Sequence, residues 1–367
     1  MNQKPIRVLV VDDSALMRKL IPQVIEQESS IKVVGTAIDG YFALKRIPEV
    51  QPDVITLDLE MPGMSGAQVL SQITRQYQIP VIVVSSHTTH GASATFKALA
   101  LGAFDFVAKP QDACGHMQEV AAELIGKIVA ARHSEKPVAA SNTVPLIFPK
   151  VEKPRARTRI VPTRLVAIGV STGGPNAIQY LLSQLPGDFP GSLVIVQHMP
   201  EGFTDMFARR LDECCAIEVK EAQSGDEIIA GRALICPGNR HMKVRRMAKG
   251  DVVALTEEPR VNGHRPSVDV LFNSVAQEFG AKAIAVLMTG MGDDGASGLG
   301  AIKTAGGLTI AQDQKSCVVF GMPKAAIERG NAMRVVSLEA LANTLQVQCA
   351  SEPKERSKAA AQSGISD

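Results

Sequence analysis

The chain has 367 residues, 45% hydrophobic but only 4% aromatic, with no Trp and a formal net charge of +2. That length suggests two or more domains, and the near-neutral balance excludes a global electrostatic case for nucleic acid or an acidic surface as partner. Cores built without Trp must rely on Val, Ile, Leu, Ala and Met, as buried parallel sheets do. Six cysteines (Cys114, Cys214, Cys215, Cys236, Cys317 and Cys349) show no C-x-x-C spacing. Neither a zinc site nor a redox motif is therefore indicated, and a reducing cytoplasm fits best. The N-terminus runs straight into an apolar strand without the pattern of a secretory signal. No stretch reaches the ~18 apolar residues of a membrane span, so a soluble protein without direct membrane insertion is expected.

In chain order, Ile6–Val11 reads as a buried strand that ends in Asp12-Asp13-Ser14, with Ser14 placed to cap the next helix. Pro22 inside that helix predicts a kink or an altered boundary. Segments 31–35, Val54–Asp58, Val81–Ser85 and 104–109 read as four further strands, with helical patterns between them. Such alternation predicts a doubly wound parallel sheet over residues 1–132. Composition then shifts. Residues 136–164 hold five prolines and seven basic residues, with Glu152 the one acid. This reads as an extended, solvated linker, bounded at 133–160. Alternation resumes with strands at 165–169, 193–197, 233–236, 283–288 and 308–311, and helices at 176–185 and Val268–Phe279. A second α/β domain over 161–350 is expected, then a polar, disordered tail at 351–367.

In the first domain Asp12, Asp13 and Asp58 fall at the carboxyl ends of strands, which converge on one crevice in a doubly wound sheet. Three carboxylates in one pocket repel each other unless a hard divalent cation joins them, and Mg²⁺ takes carboxylates while keeping room for a phosphoryl group. A carboxylate can attack a phosphoryl donor to form an aspartyl phosphate. Ser85 and Lys109, ending the next two strands, supply a hydroxyl and an ammonium for the phosphoryl oxygens. A cis Lys109–Pro110 bond would aim that lysine inward. These five positions in this order closely resemble the receiver domain of two-component response regulators, a flavodoxin-like fold. The resemblance implies that Asp58 is the phospho-acceptor and that Asp12 and Asp13 organise Mg²⁺, with the Glu60 carbonyl as a further ligand. It also implies that Ser85 and Phe106 hold the two switch positions.

In the second domain Gly169-Val170-Ser171-Thr172-Gly173-Gly174 follows an apolar strand and precedes a helix, the context in which G-x-S-x-G exposes a nucleophilic serine. A nucleotide-phosphate loop would need G-x-G-x-x-G or a Walker lysine, and neither is present. His198 ends the apolar strand that follows and is the best placed of the seven histidines as a general base; His241 and His264 lie in polar, basic stretches. The turn 289–295, TGMGDDG, offers backbone donors for an oxyanion and two adjacent acids, and spacing alone does not choose between Asp293 and Asp294. The order Ser, His, Asp differs from that of the α/β-hydrolases, which points to a separate scaffold with convergent chemistry.

The segments GVSTGGP, VIVQHMP and MTGMGDDGASG resemble those of the chemotaxis protein-glutamate methylesterases, the CheB family, and receiver, linker and catalytic domain together cover nearly the whole chain. The resemblance implies a triad of Ser171, His198 and Asp294, with the Met291 backbone N–H in the oxyanion hole and Thr172 lining the site. It implies hydrolysis of glutamate methyl esters on methyl-accepting chemoreceptors with release of methanol, and deamidation of receptor glutamines. The esterase chemistry needs no cofactor. A chemotaxis histidine kinase would supply the phosphoryl group, relieving a block by the receiver. The alternative is a phospho-switch whose second domain binds a signalling partner without catalysis. A DNA-binding response regulator lacks support, because no basic helix-turn-helix pattern is present.

Overall fold

The computed structural model describes residues 4–86, 88–110, 113–133 and 160–350; all but the end residues of the linker expected at 133–160, and the tail expected at 351–367, lie outside the described residues. The first domain runs β1 (Ile6–Val11), α1 (Ala15–Ile25), β2 (Ile31–Ala37), α2 (Gly40–Val50), β3 (Val54–Asp58), α3 (Gly66–Gln76), β4 (Val81–Ser85), α4 (Thr89–Ala100), β5 (Asp105–Ala108) and α5 (Ala113–His133). Its five strands are parallel in the order β2-β1-β3-β4-β5. Strands β3, β4 and β5 are buried at every position, as expected when helices cover both faces of a parallel sheet. The order reverses direction at β1 and β3, which opens a crevice at their carboxyl ends.

Helix α1 continues through Pro22 to Ile25, so the expected altered boundary is not found. Proline removes only the N–H that would reach Arg18, while its own carbonyl still accepts from Glu26 at 3.0 Å. The Lys109–Pro110 bond is not cis; among the described residues the cis peptide is Arg265–Pro266.

The second domain comprises β6 (Leu165–Val170), α6 (Gly174–Ser183), β7 (Ser192–Gln197), α7 (Thr204–Cys214), β8 (Glu218–Glu221), β9 (Arg232–Ile235), β10 (His241–Arg245), β11 (Val252–Thr256), α8 (Val268–Phe279), β12 (Ala283–Leu287), α9 (Ala296–Thr304), β13 (Leu308–Gln312), α10 (Met322–Glu328), β14 (Arg334–Val336) and α11 (Leu338–Ala350). Seven strands pair in parallel as β14-β13-β12-β6-β7-β9-β8, and β10 and β11 form a separate antiparallel ribbon. Strands β6, β7 and β12 are wholly buried. From β6 the chain moves one way through β7 and later returns to add β12 on the other side, so the second switch point lies between β6 and β12. The edge strands β8 (EVKE) and β14 (RVV) are short and charged, as edges that resist further pairing are; this also removes the apolar periodicity by which sequence reading would find them.

The two domains share a core. One hydrophobic cluster runs from β3, β4 and α4 of the first domain into α6, α7 and β7 of the second. Phe96 of α4 stacks on Phe207 of α7 with ring centroids 5.5 Å apart, and Phe106 of β5 tilts onto Phe203 at 4.9 Å. All four rings are buried. The Asn176 amide adds a bond to the Leu99 carbonyl at 3.2 Å.

Candidate active site

Three strand ends meet at the second switch point. Ser171 follows β6, His198 follows β7, and the turn 289–295 follows β12. Hydrogen bonds stitch them together: Ser171 N–H donates to the Thr289 carbonyl at 3.0 Å, His198 N–H to the Val170 carbonyl at 3.0 Å, and the Thr289 hydroxyl to the Thr172 carbonyl at 3.0 Å. Gly290 allows the turn after β12 to approach the serine, since a Cβ there would lie 2.8 Å from the Ser171 Cβ. Gly173 has φ +76°, where a side chain is disfavoured, and it starts α6 immediately beyond the serine.

His198 Nε2 lies 2.9 Å from Asp294 Oδ2. Asp294 is 1% exposed, yet every bond around it favours the carboxylate. Oδ1 accepts from Ser267 Oγ at 2.8 Å and Asn262 Nδ2 at 2.9 Å, and Oδ2 accepts from the Val268 N–H at 2.7 Å. That N–H opens α8, whose N-terminus attracts negative charge. Burial alone would push the Asp294 pKa up, but His198, Asn262 and Val268 together hold it well below the usual carboxylate range. The neighbouring Asp293 is exposed and pairs with Arg329 instead. Among the described residues, then, the acid in contact with His198 is Asp294.

With Nε2–H directed at a carboxylate, the nitrogen left to receive a proton is Nδ1, which is buried and has no hydrogen-bond partner. The Ser171 hydroxyl also makes no hydrogen bond within the described residues. Backbone N–H groups of Thr172 and Met291 are likewise unspent there, while that of Gly290 is committed to Val319 at 3.0 Å.

The first crevice gathers Asp12, Asp13 and Asp58, whose ligand oxygens lie within 4.8 Å of one another. Asp12 and Asp58 are buried and Asp13 is exposed. Lys109 Nζ spans the two buried acids, 2.9 Å from Asp12 and 2.7 Å from Asp58. Burial would lower the lysine pKa, but these carboxylates reverse the sign and raise it. Glu60 donates its N–H to Asp58 at 3.0 Å and holds Ser86 and His90 with its side chain. The Ser85 hydroxyl donates to the Gly91 carbonyl at 3.1 Å.

Comparison with known proteins is consistent across both halves. Residues 8–120 match the response regulator receiver domain family, and residues 166–345 match the CheB methylesterase family. A relative from Koribacter versatilis, named protein-glutamate methylesterase/protein-glutamine glutaminase 2, is 61% identical over 96% of this chain and 98% of its own length. A Pyrococcus horikoshii protein with the same activities in its name is 43% identical over 93% of both chains. The CheB methylesterase catalytic domain of Thermotoga maritima superposes with a TM-score of 0.50 at 40% identity, covering 50% of this chain and 98% of that one. The chain belongs to the CheB methylesterase family.

Within this CheB chain the first domain lies directly against the serine site. Asp105 of β5, 3% exposed, accepts a hydrogen bond from the Phe106 N–H at 2.8 Å, and against the larger effect of burial the side chain of Thr172, next to Ser171, helps hold its carboxyl down. Lys127 of α5 lies 3.4 Å from Asp105, 2.7 Å from Glu123, and donates to the Phe106 carbonyl. Phe106, the expected aromatic switch residue, is buried against Phe203. Met291 reaches so far toward α5 that a Cβ at Gly126 would lie 2.5 Å from its methyl carbon.

Sequence reading missed four residues here. Gln197 donates from one amide to both the Ser171 carbonyl (3.1 Å) and the His198 carbonyl (3.0 Å). Asn262 and Ser267 hold Asp294, and the His264 ring stacks on His198 with centroids 3.9 Å apart. Gln197 carries a weak signal, a polar residue ending a buried run just before the histidine. The other three act across long loops and leave no local pattern.

Proposed function

We propose that the chain removes methyl groups from glutamate γ-methyl esters of methyl-accepting chemoreceptors, and deamidates receptor glutamines, under control of phosphorylation at Asp58. The observation that carries the chemistry is the His198–Asp294 hydrogen bond beside an unencumbered Ser171, in a chain of this family. Ser171 Oγ attacks the γ-carbonyl while His198 Nδ1 takes its proton; the imidazolium is stabilised by Asp294. The oxyanion is received by the N–H groups of Met291 and Thr172. His198 passes the proton to the leaving methoxide, which departs as methanol, or to the leaving amine, which departs as ammonia. Water, deprotonated by His198, then attacks the acyl-serine; the proton returns from His198 to Ser171 Oγ as that bond breaks, leaving a glutamate and the free serine.

Control follows from the interface. The face formed by α4, β5 and α5 packs over the serine site, with Met291 directed at Gly126 of α5 and Phe96 and Phe106 seated on Phe207 and Phe203. Asp12, Asp13 and Asp58, with the Glu60 carbonyl, form a set of hard oxygen donors of the kind Mg²⁺ takes. The ion supplies charge neutralisation for phosphoryl transfer from a histidine kinase. Lys109 already touches the acceptor carboxylate and is in reach of a phosphoryl oxygen, as is Ser85 after release from Gly91. Movement of Ser85, Phe106 and β5 would loosen the Phe106–Phe203 contact and open the cleft. Acting on receptor glutamates and taking a phosphoryl group from a histidine kinase would place the chain in the cytoplasm. Among the described residues no helix is long and apolar enough to cross a membrane.

The test is methanol release from methylated receptor membranes by the intact chain, Ser171→Ala and Asp58→Asn, each with and without a phosphodonor and Mg²⁺. Release that needs Ser171 and is stimulated only when Asp58 is present is the expected result. Equal release by Ser171→Ala would sink the reading.

A further inference from the structure

His264 sits in the tight turn before α8, fixed by reciprocal backbone bonds with Val261 of 3.0 and 2.9 Å. Its ring lies flat against His198, with planes 8° apart and centroids 3.9 Å apart. Among the described residues its ring nitrogens make no hydrogen bond, so no polar structural role accounts for its orientation. Among the described residues the ring's aromatic contact is this stack.

His198 needs such a neighbour. Its ring has one hydrogen bond, at Nε2, and the proton-accepting Nδ1 is buried without a partner. A ring tethered at one atom still rocks about that bond, and displacement of a reacting atom by about 1 Å costs on the order of 10²-fold in rate. A flat ring in van der Waals contact suppresses that motion. There is an electrostatic consequence as well. When Nδ1 takes the serine proton, His198 becomes a cation, and the face of a neutral aromatic ring attracts a cation. A protonated His264 would repel it. Burial first, and His198 second, hold the His264 pKa down to about 4. Asp294 and Glu123 of α5 oppose that shift, and Arg260 adds to it. His264 is therefore uncharged at neutral pH.

We propose that His264 is a positioning residue for the hydrolysis, clamping the His198 ring in line with Asp294 and stabilising the imidazolium that forms as Ser171 attacks. The proposal rests on the Ser171–His198–Asp294 assignment made above. It is tested on the full chain with Mg²⁺ and a small-molecule phosphodonor, comparing His264→Ala, His264→Phe and His198→Ala. In His264→Ala, kcat should fall about tenfold while KM changes by less than about twofold. His264→Phe keeps an aromatic face and should recover most of that loss. The proton between His198 and Asp294, followed by NMR in the same samples, should be sharp in the wild type and His264→Phe and broadened in His264→Ala. Unchanged kcat and an unchanged proton signal in His264→Ala would overturn the clamp, as would a His264→Phe variant as slow as His264→Ala. If His198→Ala is inactive in that same comparison, the triad assignment survives the loss of the clamp; if His198→Ala turns over normally, the triad assignment itself falls.

Discussion

The chain builds the same device twice and uses it differently. Each domain places polar residues at a switch point of a parallel sheet, between β1 and β3 in one and β6 and β12 in the other. The first crevice is crowded with like charge: Asp12, Asp13 and Asp58 lie within 4.8 Å of one another, with Lys109 as the internal counter-ion. In the second, one buried carboxylate, Asp294, faces the imidazole, and its charge is met by that ring and by neutral donors, one of which, Asn262, it shares with the buried Asp269. A cluster of hard oxygens suits a cation and a phosphoryl group, whereas one oriented imidazole beside a hydroxyl suits acyl transfer. The fold supplies the crevice, and residue charge decides the chemistry.

That contrast is broken most severely at the second crevice. Ser171→Ala or His198→Ala should reduce phosphodonor-stimulated methanol release by roughly 10⁴-fold or more, since triad members act as a unit. The same variants should leave phosphorylation of Asp58 intact, measured with radiolabelled phosphodonor. Loss of phosphorylation along with activity would mean the two crevices are not separable.

Asp294→Asn sharpens the reading of the paired acids. It removes a charge that His198 needs, and should lower kcat by roughly 10²- to 10⁴-fold. Asp293, exposed and paired with Arg329, should tolerate Asn within about twofold, as surface ion pairs contribute little. A larger loss from Asp293→Asn would contradict the assignment.

How far each crevice could be read beforehand follows from how local its parts are. Asp12, Asp58, Ser171 and His198 sit at the ends of apolar runs, so strand reading alone put them at crevices. Asp294 was ambiguous because adjacent acids have no spacing to separate them; the choice is made by Ser267, Asn262 and the first N–H of α8, contributed from elsewhere in the chain. His264 looked like a residue of a solvated basic stretch, and only the turn 261–264 brings its ring onto His198. The polar edge strands β8 and β14 were invisible for a related reason: they bury few side chains and so carry no strong period; β10 buries His241, Met242 and Val244, but in a basic segment, HMKVR, with no regular alternation.

The coupling between the crevices can be tested from either side. Chelation of divalent cations should abolish stimulation by phosphodonor and leave basal release unchanged, because among the described residues the clustered acids that suit a cation lie in the first crevice. At the interface, Phe203→Ala should raise basal release several-fold without phosphodonor, by removing the ring on which Phe106 rests. A chelator that stops basal hydrolysis, or a Phe203→Ala protein with unchanged basal rate and normal stimulation, would count against this division of labour.

The smallest expected effect concerns pH and stability at His264. Its pKa in the folded chain, about 4, lies below the ordinary 6.5. Between those values the unfolded chain binds a proton that the folded chain does not, so folding stability must fall as pH drops from about 6.5 toward 4, and the loss ends below that window. His264→Phe has no such group but keeps the stack. Denaturant midpoints for the two proteins should therefore run parallel above pH 6.5, with the wild type losing ground to His264→Phe as acid is added. Asp294, held low by His198 against the opposing effect of burial, is present in both proteins and gives up its contribution at lower pH. Midpoints that stay parallel from pH 7.5 to 4.5 would show that His264 titrates normally in the folded chain. A charged ring would then face His198 in mild acid, and catalysis should fail there before the fold does.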